Sequence, residues 1–391
     1  MSEWRETTLT DLGIFGRGKS KHRPRNDIRL FEGGKYPLVQ TGDVKSANLY
    51  ITKNEAFYNE FGLEQSKLWP AGTLCITIAA NIAETGILSY PMCFPDSIVG
   101  FNADPEKSSE IFVYYLFEYI KREVQKSASG SIQDNINIDY LTKMRIRVPD
   151  KGYQDKIVRL LSSIDNKILI NNRVCQELEA MAKMLYDYWF VQFDFPDEKG
   201  RPYKSSGGKM VYNEELNREI PEGWGVEKLN SFKVVTGKRD ANFGTENGEY
   251  DFWTTADKPI KANEFSFEGK AILIAGNGNF YVNFTDGKFE AYQRTYVIQS
   301  DDDEMLIFMY LACLQSVEKL RKGSNGSIIK YITINDVNSI ASPFNSEVVN
   351  RFIDFYMPTM ETILKNKFQN QELIQLRDWL LPMLMNGQVK V

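Results

Sequence analysis

The chain has 391 residues, of which 42% are hydrophobic and 13% aromatic, enough to form more than one hydrophobic core. Its net charge of −5 and pI near 5.4 argue against a uniformly basic nucleic-acid-binding protein. The apolar runs Ile111–Ile120 and Met305–Leu314 are about half the ~20 residues of a membrane span, and the N-terminus lacks a signal-peptide pattern. We therefore expect a cytoplasmic protein with at least two domains.

Basic residues are concentrated near the start of the chain. The run GRGKSKHRPR carries five Lys and Arg residues and no acid, and KMRIR follows further along. Lys and Arg neutralise phosphates, whereas Asn, Gln and Arg can read base edges. In the first half we therefore predict that DNA is contacted by these cations and by two lower-ranked base readers: Arg17, Lys19, Lys21, Arg23, Arg25, Asn81 and Gln133.

Histidine and cysteine are too few and too scattered for metal or nucleophile chemistry. The single histidine, His22, lies in the basic run, which we expect to be an exposed loop, so we assign it no catalytic role. None of the cysteines shows Cys-x-x-Cys spacing: Cys75, Cys93, Cys175 and Cys313. The sequence therefore predicts no structural zinc site.

Each half has the pattern of a β-rich mixed domain. TLCITIAA and AILIAGN are short apolar runs bounded by Gly and Pro, which predicts strands. IFVYYLFEYIKREV and MLIFMYLACLQSVEKL have helical periodicity and predict core helices. The predicted fold class is α+β.

A long helix is predicted after each β-rich domain. Over Ile157–Trp189 the inward positions recur at alternating steps of four and three, a coiled-coil pattern of about four heptads. A second run, Phe352–Leu384, is less apolar and contains Pro358 and Pro382, which we expect to interrupt or end it. We predict that the two helices pack together as an antiparallel coiled coil. The alternative is two separate helices that each cover their own domain.

The stretch Phe190–Trp224 mixes aromatic residues, Pro, Gly and charges without periodicity, which predicts a linker with anchoring points. Its run KSSGGK lacks the Gly-x4-Gly-Lys-[Ser/Thr] spacing of a phosphate loop, because Met210 follows Lys209. We expect a flexible loop there.

An internal repeat relates the two halves. GSIQDNINIDYL recurs as GSIIKYITINDV, and KILINNRVCQELEAMAKML aligns without gaps to TILKNKFQNQELIQLRDWL. The spacing of about 195 residues is far longer than a solenoid repeat, so the chain is a duplicated half-molecule. More weakly, Gly18-Lys19 corresponds to Gly237-Lys238, and YPLVQTGD corresponds to YDFWTTAD.

The interiors of the two copies differ, as in TIAANIAETG against IAGNGNFYVN. A duplicated scaffold with dissimilar interiors suggests two modules that do one job on two targets. By the same reasoning as in the first half, the predicted DNA contacts of the second half are Lys238, Arg239, Asn277, Asn279 and Lys330.

This order of parts resembles the specificity subunit of type I restriction-modification systems. WFVQFDFPDEKGRPYKSSGGKMV followed by IPEGW is similar to the central conserved region of that family, and GSIQDNINIDYL followed by VP to the end of its recognition domains. The resemblance implies two target recognition domains, two conserved spacer helices and a central linker, which we place in chain order at residues 1–150, 151–190, 191–222, 223–345 and 346–391. Each domain would read half of a bipartite DNA site, and the helices would set the gap.

The resemblance also implies partners. The helices and linker would dock two adenine-N6 methyltransferase subunits, with two restriction subunits as optional additions in an ATP-dependent complex. S-adenosylmethionine would be bound by the methyltransferase, so we expect no cofactor and no catalytic residue in this chain. The residues agree, because no Pro-Pro pair of an amino-methyltransferase motif occurs, AGNGNF is a weak cofactor signal, and FPDEKG lacks the spacing of a Mg²⁺ nuclease site.

Two other hypotheses stay open. The chain could be the DNA-binding portion of a fused methyltransferase or nuclease, but that needs a catalytic domain of roughly 200 residues for which the repeat leaves no room. It could instead be a coiled-coil adaptor that binds only protein, which the basic loops disfavour. DNA titrations at several salt concentrations separate this adaptor from a DNA-binding specificity subunit.

Asn171 and Asn366 occupy the same position in the two copies of the helix. A polar residue in an apolar seam can fix helix register, because a slipped pairing leaves its amide unsatisfied. We predict that the two asparagines face each other and set the register. The alternative is that both amides are exposed to solvent.

Overall fold

The computed structural model describes residues 4–79, 81–129, 138–245, 248–324 and 330–391. The chain forms two compact units, the first of Met1–Ile168 with Glu372–Val391 and the second of Leu169–Gln371. Each unit takes part of both long helices, whereas the domain boundaries predicted from the sequence treat each helix as a separate segment.

The elements of the first unit, in chain order, are β1 (Arg5–Thr7), α1 (Leu9–Leu12), β2 (Gly13–Arg17), β3 (Tyr36–Leu38), α2 (Thr41–Ser46), β4 (Tyr50–Ile51), β5 (Ala56–Tyr58), α3 (Glu60–Glu64), β6 (Leu68–Trp69), β7 (Leu74–Thr77), β8 (Thr85–Leu88), β9 (Met92–Cys93), β10 (Ile98–Ala103), α4 (Glu110–Ser129), α5 (Ile138–Lys143), β11 (Ile146–Val148) and the long helix α6 (Lys151–Tyr186), whose second half belongs to the second unit.

A five-stranded main sheet forms the centre of this unit, in the order β2-β10-β7-β8-β4. Strand β10 lies antiparallel between β2 and β7, and β7 is antiparallel to β8. A second sheet has the order β5-β3-β9-β6, and β1 pairs with β11. The apolar face of α4, including the fully buried Phe112 and Phe117, packs in one core with the β7 and β10 residues Leu74, Ile76 and Phe101.

The elements of the second unit continue as β12 (Met210–Asn213), β13 (Arg218–Pro221), β14 (Gly225–Lys228), β15 (Lys233–Thr236), β16 (Tyr250–Trp253), β17 (Ile260–Ala262), β18 (Phe267–Glu268), β19 (Ala271–Ala275), β20 (Val282–Thr285), β21 (Lys288–Ala291), β22 (Thr295–Gln299), α7 (Asp303–Gly323), α8 (Ile334–Asn338), β23 (Ala341–Phe344) and the long helix α9 (Ser346–Met385), whose last residues belong to the first unit.

The second unit repeats the topology of the first. Its main sheet has the order β15-β22-β19-β20, which corresponds to β2-β10-β7-β8. Its second sheet, β17-β16-β21-β18, corresponds to β5-β3-β9-β6, and the pair β14-β23 corresponds to β1-β11. The predicted α+β fold with two β-rich domains is confirmed, and the repeat extends through the diverged interiors.

The linker is more ordered than its composition suggested. Phe195 stacks on Tyr203 with ring centroids 4.8 Å apart, and both Phe193 and Phe195 contact Trp224. Within KSSGGK, the Ser205 backbone and hydroxyl both donate to the Asp194 carboxylate. These aromatic contacts and hydrogen bonds hold the run that we had expected to be flexible.

Both prolines lie inside α9, and the expectation that Pro358 interrupts or ends the helix was wrong. Pro358 and Asp354, the residue whose carbonyl loses an amide partner, are on the exposed face of the helix, where water can satisfy that carbonyl. Pro382 precedes the last residue of the helix by only three positions.

Three properties of the described residues concern membranes, metals and thiols. In the described ranges no helix is long and apolar enough to cross a bilayer, and no three or more His, Cys, Asp or Glu side chains form a metal-binding group. All four cysteines are buried and unpaired, and burial raises the pKa of the Cys93 thiol to about 11. Their thiols are therefore protonated at neutral pH.

Candidate nucleic-acid interface

Because the strands of each main sheet are antiparallel, the loops that carry the candidate residues leave the sheet at the same end of its strands. In the first unit, the ends of β2 and β7 lie beside the beginnings of β10 and β8. The segments 17–25, 78–84 and 94–97 leave the sheet at this edge, and we call their described residues the first sheet end. The second sheet end comprises residues 237–240, 276–281, 292–294 and 330–331 of the second unit.

Three arginines of the first sheet end converge on Asp96. Arg17 donates from Nε to the Asp96 carbonyl at 2.5 Å, and Arg25 donates to its carboxylate at 2.6 Å. Arg23 lies 3.7 Å from the same carboxylate and also donates to two backbone carbonyls of its own loop. Asp96 therefore orders the basic loop and offsets part of its charge.

The two lysines of the loop, Lys19 and Lys21, are exposed, and their ammonium groups make no ion pair or hydrogen bond with any described residue. Gly18, which precedes Lys19, must be glycine, because a Cβ at this position would lie 2.3 Å from the carbonyl oxygen of Pro95. The close approach of this backbone to the segment just before β10 fixes where the loop leaves the sheet. Lys19 and Lys21 are thus the cations of this loop whose side chains have no partner among the described residues.

His22 has a structural role in the same loop. Its Nε2 lies 2.8 Å from the Asp27 carboxylate, which also accepts from Arg29. Hydrogen bonds from Arg29, and then from His22, lower the pKa of Asp27. The carboxylate stays ionised and ties the end of the basic loop to the following turn.

Of the two lower-ranked base readers predicted in the first half, the structure describes Asn81 but not Gln133. Asn81 lies at the first sheet end, half-buried, with its side-chain oxygen 3.4 Å from the Lys45 ammonium. Its carbonyl accepts the Thr77 hydroxyl, which fixes the turn between β7 and β8. Gln133 lies outside the described residues.

The second sheet end begins with Gly237, Lys238 and Arg239. A Cβ at Gly237 would lie 2.1 Å from the Ala291 carbonyl, the same constraint as at Gly18. Lys238 is exposed, whereas Arg239 is half-buried and its guanidinium pairs with Glu290 at 3.2 Å and with Glu264 at 2.7 Å. The DNA contact at Arg239 stays a prediction, and its guanidinium is already paired with two carboxylates.

The other three candidates of the second half come together. Asn277 pairs with Tyr331 as an antiparallel bridge, and the amide of Gly278 donates to the Lys330 carbonyl at 3.0 Å. Asn279 is exposed and donates to the hydroxyl of Tyr281 at 3.1 Å. Residues far apart in sequence thus form one polar surface beside Lys238.

The long helices pair antiparallel within each unit, as predicted. In the first unit, Arg377 donates to Asp165 at 2.9 Å. Burial lowers the pKa of Arg377, but the carboxylates of Asp378 and Asp165 outweigh burial and the net shift is upward. In the second unit, Lys367 pairs with Glu179 at 2.9 Å.

The predicted pairing of Asn171 with Asn366 was wrong in its partner. Asn171, 2% exposed, donates to Asn370 and to Gln369, each at 2.9 Å. Asn366 lies instead beside Cys175. Cys175 and Asn370 are equivalent positions of the repeat, so each asparagine meets the other copy's residue one turn further on. The seam pattern shows which residues point inward but not the axial offset between helices.

Comparisons with known proteins agree with this geometry. The family model for the type I restriction modification DNA specificity domain matches residues 1–180 and 221–344. The specificity subunit of type I restriction enzyme MjaIX of Methanocaldococcus jannaschii is 26% identical over 427 aligned residues, covering 100% of this chain and 94% of that protein. The HindI specificity subunit of Haemophilus influenzae is 20% identical, with 100% of both chains covered.

The chain belongs to the type I restriction-modification DNA specificity family. Its fold is also that of a solved type I S subunit from M. genitalium, with a TM-score of 0.57 and 16% identity over 98% of this chain and 96% of that one.

Three polar residues at the sheet ends were not predicted as site residues from the sequence. They are Asp96 in the first unit and Gln293 and Arg294 in the second. The last two are exposed and their side chains make no hydrogen bond or ion pair with described residues. Aligning β10 with β22 would have placed Asp96 opposite Gln293, but the low similarity of these strands hides that alignment in the sequence.

The helix pair exposes apolar residues in both units. In the second unit, Met181, Met184 and Phe355 are 57%, 64% and 65% exposed and line a shallow groove. In the first unit, Leu376 and Trp379, at the repeat positions of Met181 and Met184, are 43% and 56% exposed. Exposed apolar surface that recurs at equivalent positions is typical of a protein-binding face.

Proposed function

We propose that this chain is the DNA sequence-specificity subunit of a type I restriction-modification complex, in which each β-rich domain reads one half of a bipartite site. The observation that carries the proposal is the repeated sheet end, where two copies of one topology present basic and amide side chains that differ in identity. Phosphate contacts hold DNA, and differing amide and cation positions distinguish its bases.

An exchange of recognition domains tests this proposal. In a chimera whose Thr10–Ser129 segment comes from another family member, we expect one half-site to change completely and the other to stay the same, because that segment carries the first main sheet and its end. The measurement is sequencing of methylated adenines in cells that carry the chimera with its methyltransferase. The control is the reciprocal exchange of residues 230–325. A chimera with both half-sites altered would contradict the two-reader proposal.

Neutralising the basic loop tests the phosphate contacts. When Arg17, Lys19, Lys21, Arg23 and Arg25 are replaced together by Ala, we expect weaker DNA binding and a flatter dependence of affinity on salt. Each lost phosphate contact should reduce the slope of log K against log[salt] by ~0.9.

The structure sharpens this experiment. We expect the Lys19→Ala/Lys21→Ala double variant alone to give a large share of the effect, because the Asp96 carboxylate partly neutralises Arg23 and Arg25. Lys107→Ala is the matched control, since Lys107 pairs with Asp104 beyond the opposite end of β10. A slope that is unchanged in the fivefold variant would show that the loop does not contact DNA.

We further propose that the exposed apolar helix faces dock the partner subunits. Two faces at equivalent repeat positions fit two copies of one partner, an adenine-N6 methyltransferase subunit, and restriction subunits would join the same core. The methyltransferase would bind S-adenosylmethionine and carry the catalytic residues. This chain would contribute recognition, and the register of its helices would set the gap between half-sites.

A further inference from the structure

The turn between β21 and β22, residues 292–294, lies at the second sheet end beside Lys238 and the Asn277–Asn279 turn. We infer that Gln293 and Arg294 are specificity-determining residues that read purine bases of the second half-site. The inference rests on the proposed function and names residues that carry it out.

The backbone of this turn is held on both sides. The Gln293 amide donates to the Arg239 carbonyl at 2.9 Å, and the Arg294 carbonyl accepts from the Gly276 amide at 2.7 Å. Within the turn, the Thr295 amide donates to the Tyr292 carbonyl at 2.8 Å. The residues that follow β15 and β19 thus fix the position of the turn through backbone hydrogen bonds.

Arg239 is a positioning residue in this arrangement. Its guanidinium is anchored by Glu290, which is fully buried, and by Glu264, while its own carbonyl holds the Gln293 amide. The ion pairs therefore stabilise the segment on which the turn rests. A supporting layer that fixes the backbone is what precise recognition by side chains requires.

The two side chains on this fixed turn have no hydrogen-bond or ion-pair partner among the described residues. Gln293 and Arg294 are both exposed, and throughout the described ranges no residue accepts from or donates to their side chains. An arginine guanidinium can donate two hydrogen bonds to O6 and N7 of guanine, and a glutamine side-chain amide can form two hydrogen bonds with N6 and N7 of adenine. A rigid backbone that presents a free amide and a free guanidinium side by side therefore suits direct reading of base edges.

The equivalent turn in the first unit has the opposite chemistry. Gly18 and Gly237 donate to the carbonyls of Ile98 and Thr295, which aligns the two turns and places Asp96 at the position of Gln293. Asp96 is engaged by Arg23 and Arg25. One copy thus presents an acid neutralised by arginines, and the other presents free donors, so this turn is a point where the two half-sites differ.

The test uses the full chain with its methyltransferase and maps methylated sites for Arg294→Ala, Arg294→Lys and Gln293→Ala. We expect each variant to lose roughly tenfold or more discrimination at one base pair of the second half-site, with the first half-site as sharp as in the wild type. Arg294→Lys separates two roles, because lysine keeps a phosphate contact but loses the bidentate fork.

Lys233→Ala is the matched control, an exposed lysine at the opposite end of β15, and we expect both of its half-sites to be unchanged. If the Arg294→Lys variant and the Gln293→Ala variant both keep the wild-type discrimination at the second half-site, the inference is overturned and the proposed function stays intact. If the wild type itself methylates no bipartite site, the proposed function fails first. Unaltered reading of the first half-site shows in each variant that the chain is folded.

Discussion

Replacing Phe190 by alanine is expected to destabilise the second unit by about 3–5 kcal/mol, because a fully buried aromatic ring leaves a cavity that its surroundings fill only in part. The Phe190 ring lies 4.9 Å from that of Phe308 in α7 and 5.1 Å from that of Phe352 in α9. It also contacts Trp224, where the linker ends. One side chain therefore joins the helix pair, the linker and the recognition domain.

The measurement is the urea unfolding of the full chain, monitored through a signal that reports on the second unit. Tyr188→Ala is the matched control, since Tyr188 lies in the same helical turn but is 38% exposed. We expect the control to cost no more than roughly 1 kcal/mol, as exposed positions usually do. A loss of similar size in both variants would show that Phe190 does not join these elements.

Much of the fold could be predicted because periodicity is a local property. The predicted helices around Ile111–Ile120 and Met305–Leu314 lie within α4 and α7, and the strand TLCITIAA contains β7. The order within the linker was missed because it depends on contacts between residues distant in sequence, such as Phe193 with Trp224. The continuity of α9 through Pro358 was missed because residue type alone suggested a break, whereas Pro358 and the Asp354 carbonyl lie on the exposed face, where water can satisfy that carbonyl.

The candidate site could be predicted only in part, for a related reason. Residue type and clustering drew attention to Lys19 and Lys21, whose side chains are indeed exposed. The same criteria nominated Arg239 but gave no sign that Glu264 and Glu290, which are distant in sequence, pair with its guanidinium. Conversely, Gln293 and Arg294 have no cluster around them in sequence. Strand pairing alone brings them beside Lys238.

The helix register depends on the same kind of distant contact, now between Asn171 and Asn370. We expect Asn171→Leu alone to destabilise the second unit by about 1–3 kcal/mol, because the buried Asn370 oxygen loses its donor. In the double variant Asn171→Leu/Asn370→Leu the lost stability should return. The former partners, Gln369 and the exposed Asn172, lie near enough to the surface to bond with water.

The double variant should at the same time recognise more than one gap length. Two leucines pack as well after the helices slip by one heptad, whereas two buried amides do not. A slip of seven residues at ~1.5 Å each is roughly 10 Å, or about three base pairs of B-DNA. Mapping of methylated sites measures the gap, and Arg173→Ala, on the exposed side of the same turn, is the control. A double variant that is stable and keeps a single gap would show that the asparagines do not set the register, and that the distance between half-sites is fixed by the remaining contacts of the helix pair.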